Sequence, residues 1–176
     1  PGLVLGTHFI DWKTAYALNG RAYVDLRSFG IDSRRDGVLL VNHAKNEANY
    51  AISQVNDADD EWDGTWTIQV RDNRSDNLEQ DPIVFVFVPK SNTNVVSGMF
   101  TADSTITMHS GATPAFTVTK RQDIANGTYE LKVPGRSPAD GVLIISGACG
   151  GGYNGDNIVT YEPNTAGDGW LIETRD

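Results

Sequence analysis

The chain has 176 residues and a formal net charge of −9, with 23 Asp and Glu against 14 Lys and Arg. This acidity argues against nucleic acid and anionic membranes as partners, because both are themselves negatively charged. No apolar run approaches the roughly 20 residues of a membrane-spanning helix, and the single cysteine excludes an internal disulfide framework. The 18 glycines and the abundance of Thr, Val and Asn indicate an all-β protein, and the low Cys and Lys content favours an extracellular or cell-surface location.

Short strands separated by turns are predicted along the first part of the chain. Residues 21–27 alternate apolar and polar side chains, which is the period of a half-buried strand. Residues 37–41 are a continuous apolar run typical of a core strand covered on both faces. Residues 50–55 and 65–70 flank an acidic turn at 56–64, and together they predict a hairpin.

After a polar stretch at 72–81, the second part of the chain opens with PIVFVFVP at 82–89, the most β-prone run in the sequence. Its side chains must be buried, because an exposed run of this kind would aggregate. Further strand-type segments follow at 94–101, 104–108, 115–119 and 126–133. Strands that recur about every dozen residues without a helical period predict an antiparallel β-sandwich or a jelly roll.

An internal repeat with a constant offset of 104 residues relates the two parts. The run DGVLLV at 36–41 returns as DGVLII at 140–145. The same offset relates Trp66 to Trp170, Arg71 to Arg175 and Asp72 to Asp176. Agreement at both ends of the repeat indicates a duplication.

The repeat divides the chain into a first unit at 1–72 and a second unit at 73–176, which could also form one composite domain. The second unit is complete, whereas the first offers only residues 1–20 in place of the strands at 83–119. Either an upstream part of the first unit has been removed, or the first unit completes its sheet on the second unit or on a neighbouring molecule. The latter case predicts an open edge that accepts a strand.

The acidic turn contains a candidate calcium site. Calcium prefers carboxylate oxygens gathered in one loop, and the candidate ligands are Asp57, Asp59, Asp60 and Asp63. The turn lacks the ligand spacing of a helix-loop-helix calcium loop, so a solvated hairpin tip is the alternative.

Aromatic residues provide a candidate carbohydrate platform, because an aromatic face packs on the apolar face of a sugar ring. Trp66 and Trp170 occupy the same repeat position, and we expect both to lie in the core. The candidate platform therefore consists of Trp12, Trp62 and Tyr153.

No catalytic arrangement can be read from the sequence. The histidines, His8, His43 and His109, lie on three separate predicted elements, and no spacing links them to Cys149. A nucleophile needs a base within hydrogen-bonding reach, so we expect a protein that is not an enzyme.

The pattern GTYxLxVPG at 127–135, followed by DGVLI and GWLIETRD, resembles β-rich repeat modules of large secreted or surface proteins of environmental bacteria. The resemblance is best over 127–176 and weaker over 20–72. It implies modularity and a surface location, and it transfers no catalytic residue.

Together these features predict a non-catalytic extracellular β-sandwich module with a structural or adhesive role in surface architecture. Its expected partners are copies of itself or neighbouring surface modules, and glycans are a further candidate. The alternatives are a carbohydrate-binding module of a secreted enzyme and a self-assembling fibre or viral coat or tail subunit.

Overall fold

The computed structural model describes residues 10–11, 21–44, 48–56, 62–75, 77–148 and 158–175. These residues form twelve β-strands and one 3-10 turn at Arg27–Phe29, without an α-helix, which confirms the predicted all-β class. The strands are β1 Ile10–Asp11, β2 Arg21–Val24, β3 Gly37–His43, β4 Asn49–Val55, β5 Trp66–Asp72, β6 Ile83–Pro89, β7 Gly98–Phe100, β8 Ile106–His109, β9 Thr117–Lys120, β10 Thr128–Lys132, β11 Ile158–Pro163 and β12 Trp170–Arg175. Within the described ranges, no helix has the length and apolar character needed to cross a membrane.

The first four-stranded sheet has the order β1-β2-β5-β4, with every pair antiparallel. Strands β4 and β5 form the hairpin predicted around the acidic turn. Strand β2 alternates half-buried and buried residues, as its period-two pattern predicts. The apolar residues of this sheet form a core centred on Trp66, Ile68 and Val70 of β5.

Strands β3 and β6 form a two-stranded antiparallel sheet that covers this first core. Leu39 and Val41 of β3 are buried in the core, and Phe85 and Phe87 of β6 pack against it. The ring of Phe87 meets the ring of Trp66 edge-on, at 5.4 Å between centroids. The apolar run at 82–89 is therefore a strand, as predicted, and it pairs with β3 of the first unit along its whole length. The prediction that all its side chains are buried is wrong, because only one face of β6 lies on the core and Val84 and Val86 on the other face are 56% and 48% exposed.

The second four-stranded sheet has the order β11-β12-β10-β9, again fully antiparallel. A second core forms on it from Phe116, Tyr129, Leu131, Trp170 and Ile172. The hairpin β7–β8 and the segment that contains Leu143 and Ile145 contribute further side chains to this core.

The two sheets have the same arrangement of strands. β5 lies between β2 and β4, and β12 lies between β10 and β11. Trp66 pairs with Val24 in the first sheet, and Trp170 pairs with Leu131 in the second. Both tryptophans are buried, which confirms the core position expected for them.

One glycine shows how the turn between β9 and β10 is fixed against β12. Gly127 has a φ of +80°, a conformation that residues with a Cβ rarely adopt. It also lies so close to β12 that a Cβ would come within 2.7 Å of the Thr174 carbonyl oxygen. The turn NG at 126–127 therefore depends on glycine for two independent reasons.

Candidate functional site

One of the three residues of the candidate carbohydrate platform can be placed, and it is buried rather than exposed. Trp62 is only 6% exposed, and its ring stacks on Tyr23 at 4.3 Å between centroids and 12° between planes. A sugar needs an open aromatic face, and the Trp62 face is already used inside the protein. Trp12 and Tyr153 lie outside the described residues.

One member of the candidate calcium site can be placed. Asp63 forms an ion pair with Arg34, at 3.0 Å between Oδ2 and Nη1, and its backbone carbonyl accepts a hydrogen bond from Arg27. Asp57, Asp59 and Asp60 lie outside the described residues. Among the residues that the structure does describe, no group of three or more His, Cys, Asp or Glu side chains is placed to hold a metal ion.

Asp63 belongs to a surface network of alternating carboxylates and guanidinium groups. Arg27 binds Asp25 through Nε and Nη2, at 2.9 and 2.7 Å. Arg34 binds Asp32 in the same way, at 3.0 and 2.8 Å. The hydrogen bonds from Arg34 lower the pKa of Asp32 to about 2, because they stabilise the ionised carboxylate. In this network the carboxylates of Asp25, Asp32 and Asp63 already form ion pairs with arginine. A metal cation would have to compete with these arginines for the same oxygens.

A buried polar cluster, which the sequence did not predict, joins β3, β4 and the segment before β6. His43 Nε2 lies 3.2 Å from Asp81 Oδ2, and the two side chains are 5% and 3% exposed. The Asn49 amide donates to the same Asp81 oxygen at 2.6 Å and to Glu79 at 2.8 Å. These groups lie 30 to 38 positions apart in the sequence, so no local motif signals them.

The geometry of this cluster suits a structural role. A His–Asp pair activates a nucleophile when the ring also reaches a hydroxyl or thiol. Within the described part of the chain, the ring of His43 is hydrogen-bonded to Asp81. A backbone hydrogen bond connects the same two segments, since the Ala44 amide donates to the Pro82 carbonyl at 2.9 Å. Cys149, the one thiol, lies outside the described residues.

Among the residues that the structure describes, the most exposed apolar side chains lie in the segment at 141–146, which we call the open segment. Val142 and Ile144 are 84% and 69% exposed, whereas Leu143 and Ile145 pack against the second core. This alternation is that of a strand with one face on a core. Among the described residues, none forms a backbone–backbone hydrogen bond with residues 141–146.

Just beyond the open segment, the chain contacts the first sheet. The Ser53 amide donates to the Gly147 carbonyl at 3.4 Å, and Ala148 forms a parallel bridge with Ser53. Ser146 Oγ lies 3.4 Å from the Val41 carbonyl oxygen, to which it donates. The end of the open segment is thereby held against the first unit, while its middle has no strand partner within the described ranges.

Comparison of the chain with protein-family models, with curated proteins and with solved structures found no match in any of the three.

Proposed function

We propose that this protein is a non-catalytic structural or adhesive module of extracellular or cell-surface architecture, built from two duplicated β-sandwich units. The observation that carries the proposal is the shared order and pairing of β2, β5 and β4 with β10, β12 and β11. An internal repeat that reproduces strand order is typical of modular proteins, in which each unit builds one core and joins a neighbour.

The repeated residues support packing as the function that the duplication preserves. Trp66 and Ile68 have their counterparts in Trp170 and Ile172, and all four are buried. The buried contact of His43 with Asp81 is not duplicated with them, since the residue at the repeat position of His43 is Gly147. The residues that both copies of the repeat share are therefore residues that pack in the two cores.

A self-assembling fibre or coat subunit is a second candidate, and the open segment is the observation that favours it. Exposed strand-like edges pair readily with other chains. The carbohydrate-binding alternative now depends on Trp12 and Tyr153, because Trp62 is buried.

Protease treatment of intact cells of the source organism tests the surface location. We expect the protein to be cleaved on intact cells while a cytoplasmic marker protein survives, and deletion of its coding segment to reduce attachment or weaken the surface layer. Resistance in intact cells, together with unchanged attachment after deletion, would refute the proposal.

Complementation of that deletion provides matched variants. Trp170→Ala opens the second core and should fail to restore the surface property, because the buried ring is lost. Tyr161→Ala replaces an exposed aromatic residue of β11 in the same sheet and should restore it. Equal restoration by both variants would show that the packed second unit is not needed.

A further inference from the structure

The open segment is the positional counterpart of β3. At the 104-residue offset, Leu39 and Val41 of β3 correspond to Leu143 and Ile145. The first two side chains are buried in the first core, and the second two pack against the second core. The open segment therefore presents the same face to its own core as β3 does.

The two segments differ in what lies beside them. Each residue of β3 has a partner in β6, with Val38 opposite Val88 and Leu40 opposite Val86. Val142 and Ile144, the counterparts of Val38 and Leu40, are exposed instead. Position for position, no described strand lies beside the open segment as β6 lies beside β3.

A glycine provides an independent indication that a strand belongs there. A Cβ on Gly37 would meet the Val88 carbonyl and would come within 2.7 Å of the Phe87 ring, so the partner strand requires glycine at this position. Gly141 occupies the same repeat position, yet nothing lies within 4 Å of the site of its Cβ. Its φ is not in the left-handed region either. Gly141 has the space that a partner strand needs and no local reason to be glycine.

From these observations we infer that the open segment is an acceptor site for a further β-strand that resembles β6 and pairs antiparallel with this segment. The chemistry of that strand follows from β6, in which Phe85 and Phe87 face the core and β-branched residues alternate with them. Such a strand would place aromatic side chains over the second core and backbone groups against residues 141–146. This is recognition by strand addition, in which the main chain supplies affinity and alternate side chains supply specificity.

β6 itself is not available for this site, because it is paired with β3 along its whole length. The donor is accordingly another strand with the chemistry of β6, and that chemistry defines the site.

A synthetic peptide with the sequence of residues 82–90, extended by a short lysine tail for solubility, tests the acceptor site. We expect saturable one-to-one binding by fluorescence anisotropy. Hydrogen exchange should show the amides of 142–146 slowed by at least about tenfold at saturation, since a paired amide exchanges only on local opening. A peptide of the same composition in scrambled order should not bind.

Gly141→Ala is the decisive variant. It should leave the melting temperature of the free protein unchanged, because the new methyl group meets no atom within 4 Å. It should weaken peptide binding by about tenfold or more, because the methyl group would overlap the bound strand. Unchanged affinity in this variant would overturn the inference.

Two exposed isoleucines form a matched pair for the side-chain contacts. Ile144→Lys should weaken binding by about two- to fivefold, which is the size of one cross-strand pair. Ile124→Lys, at an isoleucine that is also exposed but lies outside the open segment, should leave binding unchanged. Equal effects of the two substitutions would contradict the proposed site.

Other outcomes would assign a different partner. Protection confined to β3 would mean that the peptide replaces β6, and a concentration-dependent dimer that Ile144→Lys abolishes, without peptide binding, would make a second copy of this chain the occupant. Either result overturns the inference of a β6-like donor. The inference goes beyond the proposed surface function and does not rest on location, so a failure of peptide binding leaves that function standing.

Discussion

Replacing His43 with alanine removes one partner from a buried polar contact between distant elements of the structure. The ring nitrogen lies 3.2 Å from Asp81, and both side chains are at least nine-tenths buried. The substitution leaves the Asp81 carboxylate out of reach of bulk water and without the histidine. A buried polar group that loses its partner costs the folded state the full desolvation of that group.

The loss of stability in His43→Ala depends on the hydrogen bonds that Asp81 keeps. Removing one partner of a buried pair costs about 3–5 kcal/mol. The Asn49 amide still donates to the same Asp81 oxygen at 2.6 Å, so we expect His43→Ala to lie near the lower end, at about 3 kcal/mol. Asp81→Ala removes the acceptor of both His43 and Asn49 and should cost at least as much.

Urea denaturation of the two single variants and of the double variant gives a double-mutant cycle for the pair. We expect a coupling free energy of at least about 1 kcal/mol, since the two residues are in direct contact. His109→Ala is the control, because the His109 ring is hydrogen-bonded to the adjacent Ser110 carbonyl and its loss should cost no more than about 1.5 kcal/mol. A cost below about 1 kcal/mol for His43→Ala, with coupling near zero, would refute the structural role assigned to the cluster.

Two further predictions concern the cores and the surface network. Ile68→Ala and Ile172→Ala each empty a fully buried position at the same place in the repeat, so both should lower the free energy of unfolding by about 2–5 kcal/mol in urea denaturation; a negligible cost for Ile172→Ala would contradict the second core. Asp32→Asn should destabilise the protein at neutral pH and match the wild type near pH 2. The pKa of Asp32 is lowered from 3.8 to about 2 by its hydrogen bonds from Arg34, and a carboxyl group with a lowered pKa stabilises the fold above its unfolded pKa and loses this effect as the pH falls through its folded pKa. Melting curves of the two proteins from pH 7 to pH 2 should therefore converge; a constant difference would exclude Asp32 as the source.

Local patterns in the sequence were sufficient to predict the strands. The alternation at 21–27 predicted β2, and the acidic turn between two strand-type runs predicted the hairpin of β4 and β5. These features depend on the period of the backbone and on turn residues, which are properties of short stretches. The burial of Trp66 and Trp170 was predictable as well, because the repeat identified both as shared structure.

Features that depend on distant partners were not predictable in this way. Trp62 was expected to be exposed because it has no counterpart in the other copy of the repeat, yet its ring stacks on Tyr23, 39 positions earlier. The contact between His43 and Asp81 spans 38 positions and leaves no spacing motif. The sequence indicates this contact only by a histidine at the end of one apolar strand and a carboxylate near the end of another. Such an arrangement is too common to identify which two residues meet.

The position of the open edge shows the same limit most directly. The sequence indicated that the first unit is the incomplete one, because residues 1–20 are too few to replace the strands at 83–119. In the structure, the run at 82–89 pairs with the first unit, and the segment without a strand partner among the described residues lies in the second unit. The polar stretch at 72–81 marks a break in apolar character, but the partner of the next strand depends on which core offers an uncovered face.

The two copies of one motif separate the local contribution to a strand from the non-local one. DGVLLV at 36–41 and DGVLII at 140–145 are nearly identical. In both copies the first leucine, Leu39 or Leu143, faces a core. Yet the first copy is fully paired with a neighbouring strand, whereas the second has no such pairing among the described residues. Sequence alone therefore decides which side chains turn inward, while a hydrogen-bonded strand requires a partner with unpaired backbone groups. Since the second copy already has its inward face in place, a donor strand needs to supply only the pairing and the aromatic cover, and little of the acceptor has to reorganise when it binds.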